Sequence, residues 1–112
     1  MSAEPSPGDL VLVADLNGVR TLTMNLPRRL NGWTMEMMAA LKDALRAADQ
    51  DDEVGAVVLT GTDPYYCAGV NLSSTLKLAH PKELRRLIVE HNESLFDTFL
   101  SFGKPIIAAV NG

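Results

Sequence analysis

The sequence has few of the features that mark secreted, membrane-spanning or nucleic-acid-binding proteins. Its 112 residues include one cysteine, so no internal disulfide can form, and we expect a reducing compartment. The 10 basic residues form no run and are outnumbered by 14 acidic ones, which disfavours nucleic acid and anionic membrane surfaces as partners. No apolar run approaches the roughly 20 residues that cross a bilayer. The first residues resemble neither a secretory signal nor a transit peptide, so we expect a soluble protein of the cytoplasm or another reducing intracellular compartment.

The composition fits one small folded domain or a piece of a larger one. Hydrophobic residues make up 46% of the chain and charged residues 21%, which argues against disorder. Pro5 and Pro7 lie in a polar segment over residues 1–9, which we interpret as a flexible lead. The folded domain is expected over residues 10–112.

The amino-terminal part predicts an antiparallel hairpin. Residues 10–16 are apolar and β-branched, as in a strand, and Asn17-Gly18 is a strong type I′ turn signal. Residues 21–26 then alternate, with Leu22, Met24 and Leu26 on one face and polar residues on the other.

The remainder predicts alternating helices and parallel strands. Thr34 is a candidate N-cap for a helix to about Asp49, and residues 54–60 form a short apolar run typical of a strand covered on both faces. A second helix is expected over 81–102 and a second buried strand over 106–110. This order predicts an α/β fold with a parallel βαβ unit, and we expect the fold to be incomplete because two helices cover little of a parallel sheet.

Several chemically reactive groups have ordinary structural interpretations. The acidic residues at 49, 51, 52 and 53 are expected to form a solvated connector, and we predict no metal site. His80 is expected to be exposed near the start of the second helix. His91 falls on the apolar stripe of that helix. We expect it to be a buried, hydrogen-bonded histidine, and the alternative is that it faces a substrate pocket. Cys67 lacks a nearby histidine that would activate it as a nucleophile, so we expect it to be packed.

The loop after the first buried strand, residues 66–72, is the most informative segment. Gly69 allows a tight turn or a close approach to a ligand, and the amide of Val70 follows it. Backbone N–H groups directed at a carbonyl oxygen stabilise negative charge that develops there. Taken alone, however, a glycine in such a loop is usually only part of a turn.

Four ordered segments strengthen this interpretation. Residues 22–32, 57–61, 66–72 and 104–112 together resemble the amino-terminal half of the crotonase family, the enoyl-CoA hydratases and isomerases. The Tyr65-Tyr66-Cys67 sequence is more similar to the Δ3,Δ2-enoyl-CoA isomerase branch.

The resemblance implies an incomplete spiral of ββα units that binds acyl-CoA and stabilises a thioester enolate. Val70 would supply one backbone N–H of the oxyanion hole. The residues implied to line the thioester and pantetheine are Ala68, Gly69, Val70, Asn71 and Leu72. The loop 28–33 would lie near the nucleotide end of CoA, with Arg28, Arg29, Leu30 and Asn31 as its binding residues, although a solvated role for either arginine is equally compatible with the sequence.

Some positions depart from the family pattern. Val70 and Asn71 stand where the family usually has a small residue and aspartate, and Gly32-Trp33 replaces Ala-Leu. In the family, the second oxyanion N–H and the catalytic carboxylates follow the last strand. No residue of this chain matches them, so we expect a fragment of the fold.

The resemblance also implies that no separate cofactor is needed, because coenzyme A is part of the substrate. It implies a homotrimer or homohexamer for the full-length protein, and a mitochondrial or peroxisomal location is open for a eukaryotic one. Two alternatives remain. One is a non-catalytic acyl-CoA-binding or interaction protein made from the same half fold. The other is a half-domain of a Clp-type serine protease. This interpretation is disfavoured because neither Ser73 nor Ser74 has a nearby histidine to act as the base.

Overall fold

The computed structural model describes residues 10–69 and 80–112, apart from the side chains of residues 88, 91 and 92. The predicted lead over residues 1–9 therefore lies outside the described residues, as do the side chain of His91 and both candidate serines, Ser73 and Ser74.

The predicted hairpin is confirmed. Strands β1 (Val11–Leu16) and β2 (Val19–Met24) pair antiparallel, with Leu16 opposite Val19. Asn17 and Gly18 between them both have positive φ, at 52° and 82°, as a type I′ turn requires. The alternation along β2 is also confirmed, since Leu22, Met24 and Leu26 are buried while the residues between them are partly exposed.

Four strands form one sheet in the order β1-β2-β3-β4. Strand β3 (Ala56–Gly61) runs parallel to β2, and β4 (Ile106–Ala108) runs parallel to β3. The expected parallel pairing of the last two strands is thus confirmed. Because β2 and β3 are parallel, their carboxyl ends meet at the same edge of the sheet, with Met24 opposite Gly61.

Helix α1 (Met35–Gln50) packs against the hairpin and supplies much of the core. It begins as predicted, because the Thr34 hydroxyl accepts a hydrogen bond from the Met37 amide at 3.1 Å and so caps the first turn. Its buried stripe consists of Met37, Met38, Leu41, Leu45 and Ala48. Burying such a stripe against the sheet stabilises a helix that would be marginal alone.

The second helix begins at Pro81 as predicted and ends at Leu100, close to the expected end, but its middle is π-helical, which was not predicted. It consists of α2 (Pro81–Leu87), a π-helical stretch (Ile88–Glu93) and α3 (Ser94–Leu100). The wider π turn changes the angular spacing of the side chains, which a pattern based on 3.6 residues per turn does not encode. Leu95 is buried on α3, whereas Phe96 and Leu100 are exposed.

The two later strands are also less buried than expected. Along β3 only alternate residues are buried, because Val57 and Leu59 face the core while the opposite face is partly exposed. Strand β4 lies at the edge of the described sheet, and Ile107 is 58% exposed. The apolar runs at 54–60 and 106–110 are typical of strands covered on both faces, but among the described residues the second face is left partly exposed.

The acidic connector after α1 is exposed at Asp49, Asp52 and Glu53, as predicted, but it is more than a solvated link. Asp49 accepts a hydrogen bond from the Gly103 amide at 3.0 Å, and Asp51 pairs with Arg20 of β2 at 2.9 Å. These contacts attach the turn before β4 and the hairpin to the end of α1.

Within the described ranges, no helix is long and apolar enough to cross a membrane. Over those same residues, no group of three or more histidine, cysteine or acidic side chains is arranged to hold a metal ion.

Candidate functional site

The two loops singled out from the sequence lie side by side. The first follows β2 and consists of a 3-10 turn (Pro27–Arg29) and then Leu30 and Asn31, both with positive φ. The second follows β3. The Trp33 amide donates to the Gly69 carbonyl at 2.8 Å, and the Ala68 amide donates to the Leu30 carbonyl at 2.9 Å. We call residues 28–33 the nucleotide loop and residues 66–69 the thioester loop, after the roles expected from the sequence.

Exposure divides the nucleotide loop into outward and inward residues. Arg28 and Arg29 are exposed, and Leu30 is 45% exposed. Asn31 is 0% exposed. The loop therefore presents two cationic side chains to solvent and keeps its amide side chain inside.

Asn31 makes four hydrogen bonds with its buried side chain. Its Oδ1 accepts from the Leu26 amide at 2.7 Å and from the Thr62 hydroxyl at 3.2 Å. Its Nδ2 donates to the carbonyls of Thr62 at 3.1 Å and Tyr65 at 2.8 Å. A ligand-binding role for this residue stays a prediction, and the hydrogen bonds described here join its side chain to the protein itself.

The chain passes very close to itself where β3 ends. A Cβ on Gly61 would lie 2.2 Å from the Tyr66 carbonyl oxygen and 2.8 Å from Asn31 Nδ2. Only glycine leaves room for this approach, since real Cβ atoms do not tolerate such distances. The close approach folds the start of the thioester loop back over the strand end.

Gly69 is at an open turn. Its φ is +95°, in the region that favours glycine, and among the described residues other than its chain neighbours no atom lies within 4 Å of the position a Cβ would occupy. Its own amide donates to Cys67 Sγ at 3.3 Å. The next amide, that of Val70, lies outside the described residues, as do Asn71 and Leu72.

Cys67 and Tyr66 form the inner wall of the thioester loop. Both are partly buried and pack against the core, as was expected for Cys67. Burial raises the pKa of the Tyr66 phenol, and the neighbouring Cys67 raises it further. Tyr66 therefore stays neutral at physiological pH.

Asn111 is a residue whose role sequence reasoning missed. Its Oδ1 accepts from the Gly61 amide at 3.3 Å and from the Thr60 hydroxyl at 3.1 Å, and its Nδ2 donates to the Gly61 carbonyl at 2.9 Å. Gly112 passes so close to the loop that a Cβ would lie 2.2 Å from the Pro64 carbonyl oxygen. An Asn-Gly pair after a strand was the available signal, because asparagine readily pairs with backbone groups.

Other candidates lie away from these loops. His80 is exposed, as predicted, and its Nδ1 accepts from the Lys82 amide at 3.1 Å. An open groove of about 450 Å³ lies between α1 and the π-α3 segment. Its lining includes Arg46, Asp49 and Asp97 and no residue of either loop.

Comparison with known proteins gives one consistent result. The family model for enoyl-CoA hydratase/isomerase matches residues 15–112. A probable enoyl-CoA hydratase, EchA14 of Mycobacterium tuberculosis, is 39% identical over 108 residues, which are 93% of this chain and 40% of that protein. The 1,2-epoxyphenylacetyl-CoA isomerase of Escherichia coli is 34% identical over 97 residues, 85% of this chain and 37% of that enzyme.

The fold agrees with these sequence relatives. The crystal structure of a probable enoyl-CoA hydratase from Mycobacterium smegmatis superposes with a TM-score of 0.85 at 22% identity, covering 93% of this chain and 41% of that one. The expected crotonase-type fold, present as a partial domain, is thereby confirmed. The chain spans about two fifths of the length of the curated relatives it matches.

Proposed function

We propose that this chain, which belongs to the enoyl-CoA hydratase/isomerase family, binds an acyl-CoA thioester across its nucleotide and thioester loops. The observation that carries the proposal is the backbone pairing of the two loops through Trp33–Gly69 and Leu30–Ala68. An acyl-CoA is long, with a phosphorylated end and a thioester end, so its site needs two separate binding elements held in a fixed relation.

The thioester end is the chemically active part of the proposal. The amide of Val70 follows the open turn at Gly69 and would donate a hydrogen bond to the thioester oxygen. A backbone donor placed there stabilises the charge of an enolate by a few kcal/mol. Ala68, Gly69, Asn71 and Leu72 would line the thioester and the pantetheine beside it.

The nucleotide end would be recognised by charge. Arg28 and Arg29 are exposed at the outer side of the nucleotide loop, where guanidinium groups bind phosphate oxygens well. The apolar side chain of Leu30, which is exposed beside them, would contact the adenine or pantetheine.

The reaction proposed for the whole protein is isomerisation or hydration of an enoyl-CoA. In an isomerase a carboxylate removes the proton α to the thioester carbonyl and returns it two carbons along, and in a hydratase two carboxylates add water across the double bond. No carboxylate of this chain is assigned to either role. The Tyr65-Tyr66-Cys67 sequence favours the Δ3,Δ2-enoyl-CoA isomerase branch as the finer proposal.

Cofactor, assembly and location complete the proposal. Coenzyme A enters as part of the substrate, and no further cofactor is invoked. The full-length protein would be a homotrimer or homohexamer in a reducing compartment: the cytoplasm, or in a eukaryote the mitochondrion or peroxisome.

Calorimetric titration with crotonyl-CoA, CoA and crotonate tests the proposal. We expect crotonyl-CoA to bind more tightly than CoA, because only the thioester offers a carbonyl to the loop amide, and we expect crotonate alone not to bind. Absence of binding, or equal affinity for crotonyl-CoA and CoA, would contradict the proposed site. Turnover of crotonyl-CoA by these residues alone would contradict the view that the catalytic carboxylates lie elsewhere, and binding without turnover also fits a non-catalytic acyl-CoA-binding protein.

A further inference from the structure

The Asn31 side chain joins the nucleotide loop to the end of β2 and to the segment that follows β3. Its side chain reaches the Leu26 amide before the nucleotide loop and the carbonyls of Thr62 and Tyr65 after β3. The segment from Thr62 to Tyr65 leads directly into the thioester loop. Asn31 therefore lies at the joint between the two proposed halves of the ligand site.

The local backbone favours asparagine at this position. Its φ of 55° is left-handed, a conformation that asparagine adopts more readily than most residues. The side chain is fully buried, and both its oxygen and its nitrogen have partners within 3.2 Å. Loss of one partner would leave buried polar groups unpaired, which is costly.

We infer that Asn31 is a positioning residue, which sets the separation and orientation of the nucleotide loop relative to the thioester loop without touching the ligand. The inference rests on the proposed function for its effect on binding, and it makes a structural claim that holds without any ligand. If Asn31 sets this relation, the hydrogen bonds between the loops depend on its side chain.

The structural claim is tested by hydrogen exchange at two amides. Asn31→Asp keeps the acceptor for Leu26 and loses the two donated hydrogen bonds to Thr62 and Tyr65. We expect the Trp33 and Ala68 amides to exchange at least about tenfold faster, relative to the Leu45 amide of α1 in the same variant. Unchanged relative exchange at both amides would overturn the inference.

Asn111→Asp is the matched control. The Asn111 side chain also binds the chain where β3 ends, because its Nδ2 donates to the Gly61 carbonyl and to the Asp63 carboxylate. Its replacement by aspartate likewise removes donated hydrogen bonds. We expect it to leave the Trp33 and Ala68 amides within about twofold of the wild type, because the hydrogen bonds described for the Asn111 side chain go to Thr60, Gly61 and Asp63 and not to either loop pairing. If both variants accelerated hydrogen exchange at the Trp33 and Ala68 amides equally, any weakening of the chain after β3 would have this effect. That result would overturn the specific role of Asn31. If Asn31→Asp does not fold, Asn31→Ser, which keeps a shorter polar side chain, replaces it in the same comparison.

The functional consequence is tested with a whole ligand and its two halves. The probes are crotonyl-CoA, crotonyl pantetheine and adenosine 3′,5′-bisphosphate. In Asn31→Asp we expect the affinity for crotonyl-CoA to fall about tenfold and the affinity for each half to change less than about twofold. Each subsite still binds its own half, but the extra affinity of the joined ligand depends on the two subsites being correctly placed relative to each other. Equal losses for all three probes would indicate a general loss of structure and overturn the positioning role, as would no loss at all. If the wild type binds none of the probes, the proposed function fails, while the exchange measurement still decides the role of Asn31.

Discussion

Gly69 and Gly18 have similar backbone conformations in very different places. Their φ angles are +95° and +82°, and no atom of the described residues, chain neighbours aside, lies closer than 3.8 Å to a Cβ built at either position. The backbone conformation, and not a collision with those residues, would therefore resist a side chain at either glycine. Gly18 lies in the hairpin turn, whereas Gly69 lies in the thioester loop.

Replacing these two glycines separates stability from binding. Gly69→Ala and Gly18→Ala should each lower the free energy of unfolding by about 1–2 kcal/mol, because a left-handed conformation is unfavourable for alanine. Only Gly69→Ala, and more strongly Gly69→Val, should also weaken binding of crotonyl-CoA in calorimetry. Unchanged affinity in Gly69→Val, or an equal loss in Gly18→Ala, would count against the site assigned to this loop.

At the scale of single residues, the sequence predicts backbone conformation better than it predicts the surroundings of a side chain. The turn at Gly69 was predicted correctly, because a glycine in a loop after a strand often has the positive φ that is observed here. Asn31 was expected among the ligand-binding residues, yet its side chain is fully buried. Burial of a polar side chain depends on which segments fold over it, here the chain from Thr62 to Tyr65, and this information is not local.

At the scale of elements, one ion-pair network ties the hairpin to the end of α1. Arg20 of β2 pairs with Asp15 of β1 at 2.7 Å and with Asp51 at 2.9 Å. Hydrogen bonds from Arg20 lower the pKa of Asp15. The pKa of Asp51 is lowered mainly by a hydrogen bond from the Glu53 amide and, to a smaller extent, by Arg20. The same contacts raise the pKa of Arg20.

This network predicts a pH dependence of stability with a definite sign. A carboxyl whose pKa is lowered by folding stabilises the fold above its ordinary pKa, and this contribution is lost as the pH falls through the folded-state pKa. The free energy of unfolding should therefore fall below about pH 4. In Arg20→Met the fall should be smaller, and in Arg46→Met, which alters an exposed arginine of α1, it should match the wild type. Urea unfolding between neutral and acidic pH measures this, and an equally steep fall in Arg20→Met would contradict the assignment.

The elements differ in how well the sequence determines them. The hairpin and α1 were predicted closely because their signals are local: an Asn-Gly turn, strict alternation, and a threonine cap before an apolar stripe. The π-helical segment within the second helix and the exposure of β4 were not predicted. Both depend on what packs against the element, and an apolar run such as 106–110 has the same appearance at the edge of a sheet as at its centre.

At the scale of the whole molecule, apolar surface remains exposed on α3 and at the edge of the sheet. Phe96 is 64% exposed, Leu100 70% and Ile107 58%. Contiguous exposed apolar side chains and an unpaired strand edge favour association with other surfaces. We accordingly expect these 112 residues, on their own, to self-associate or to be partly molten.

Sedimentation velocity over a range of concentrations checks this expectation. The double variant Phe96→Glu/Leu100→Glu should associate less than the wild type, because charge replaces apolar area on α3. The double variant Arg46→Ala/Arg85→Ala changes the net charge by the same amount without altering that surface, so it should associate as the wild type does. A monodisperse wild-type monomer that unfolds cooperatively would refute the expectation.

The central claim concerns one backbone amide, and the carbonyl carbon of a bound thioester reports on it most directly. With crotonyl-CoA labelled with ¹³C at its thioester carbonyl, binding should move the carbon resonance downfield, because a hydrogen bond polarises the carbonyl. Val70→Ala should keep this shift, since only the backbone is used, and Val70→Pro should abolish it, since proline has no N–H. An unshifted resonance in the bound wild type, or a shift that persists in Val70→Pro, would contradict the account.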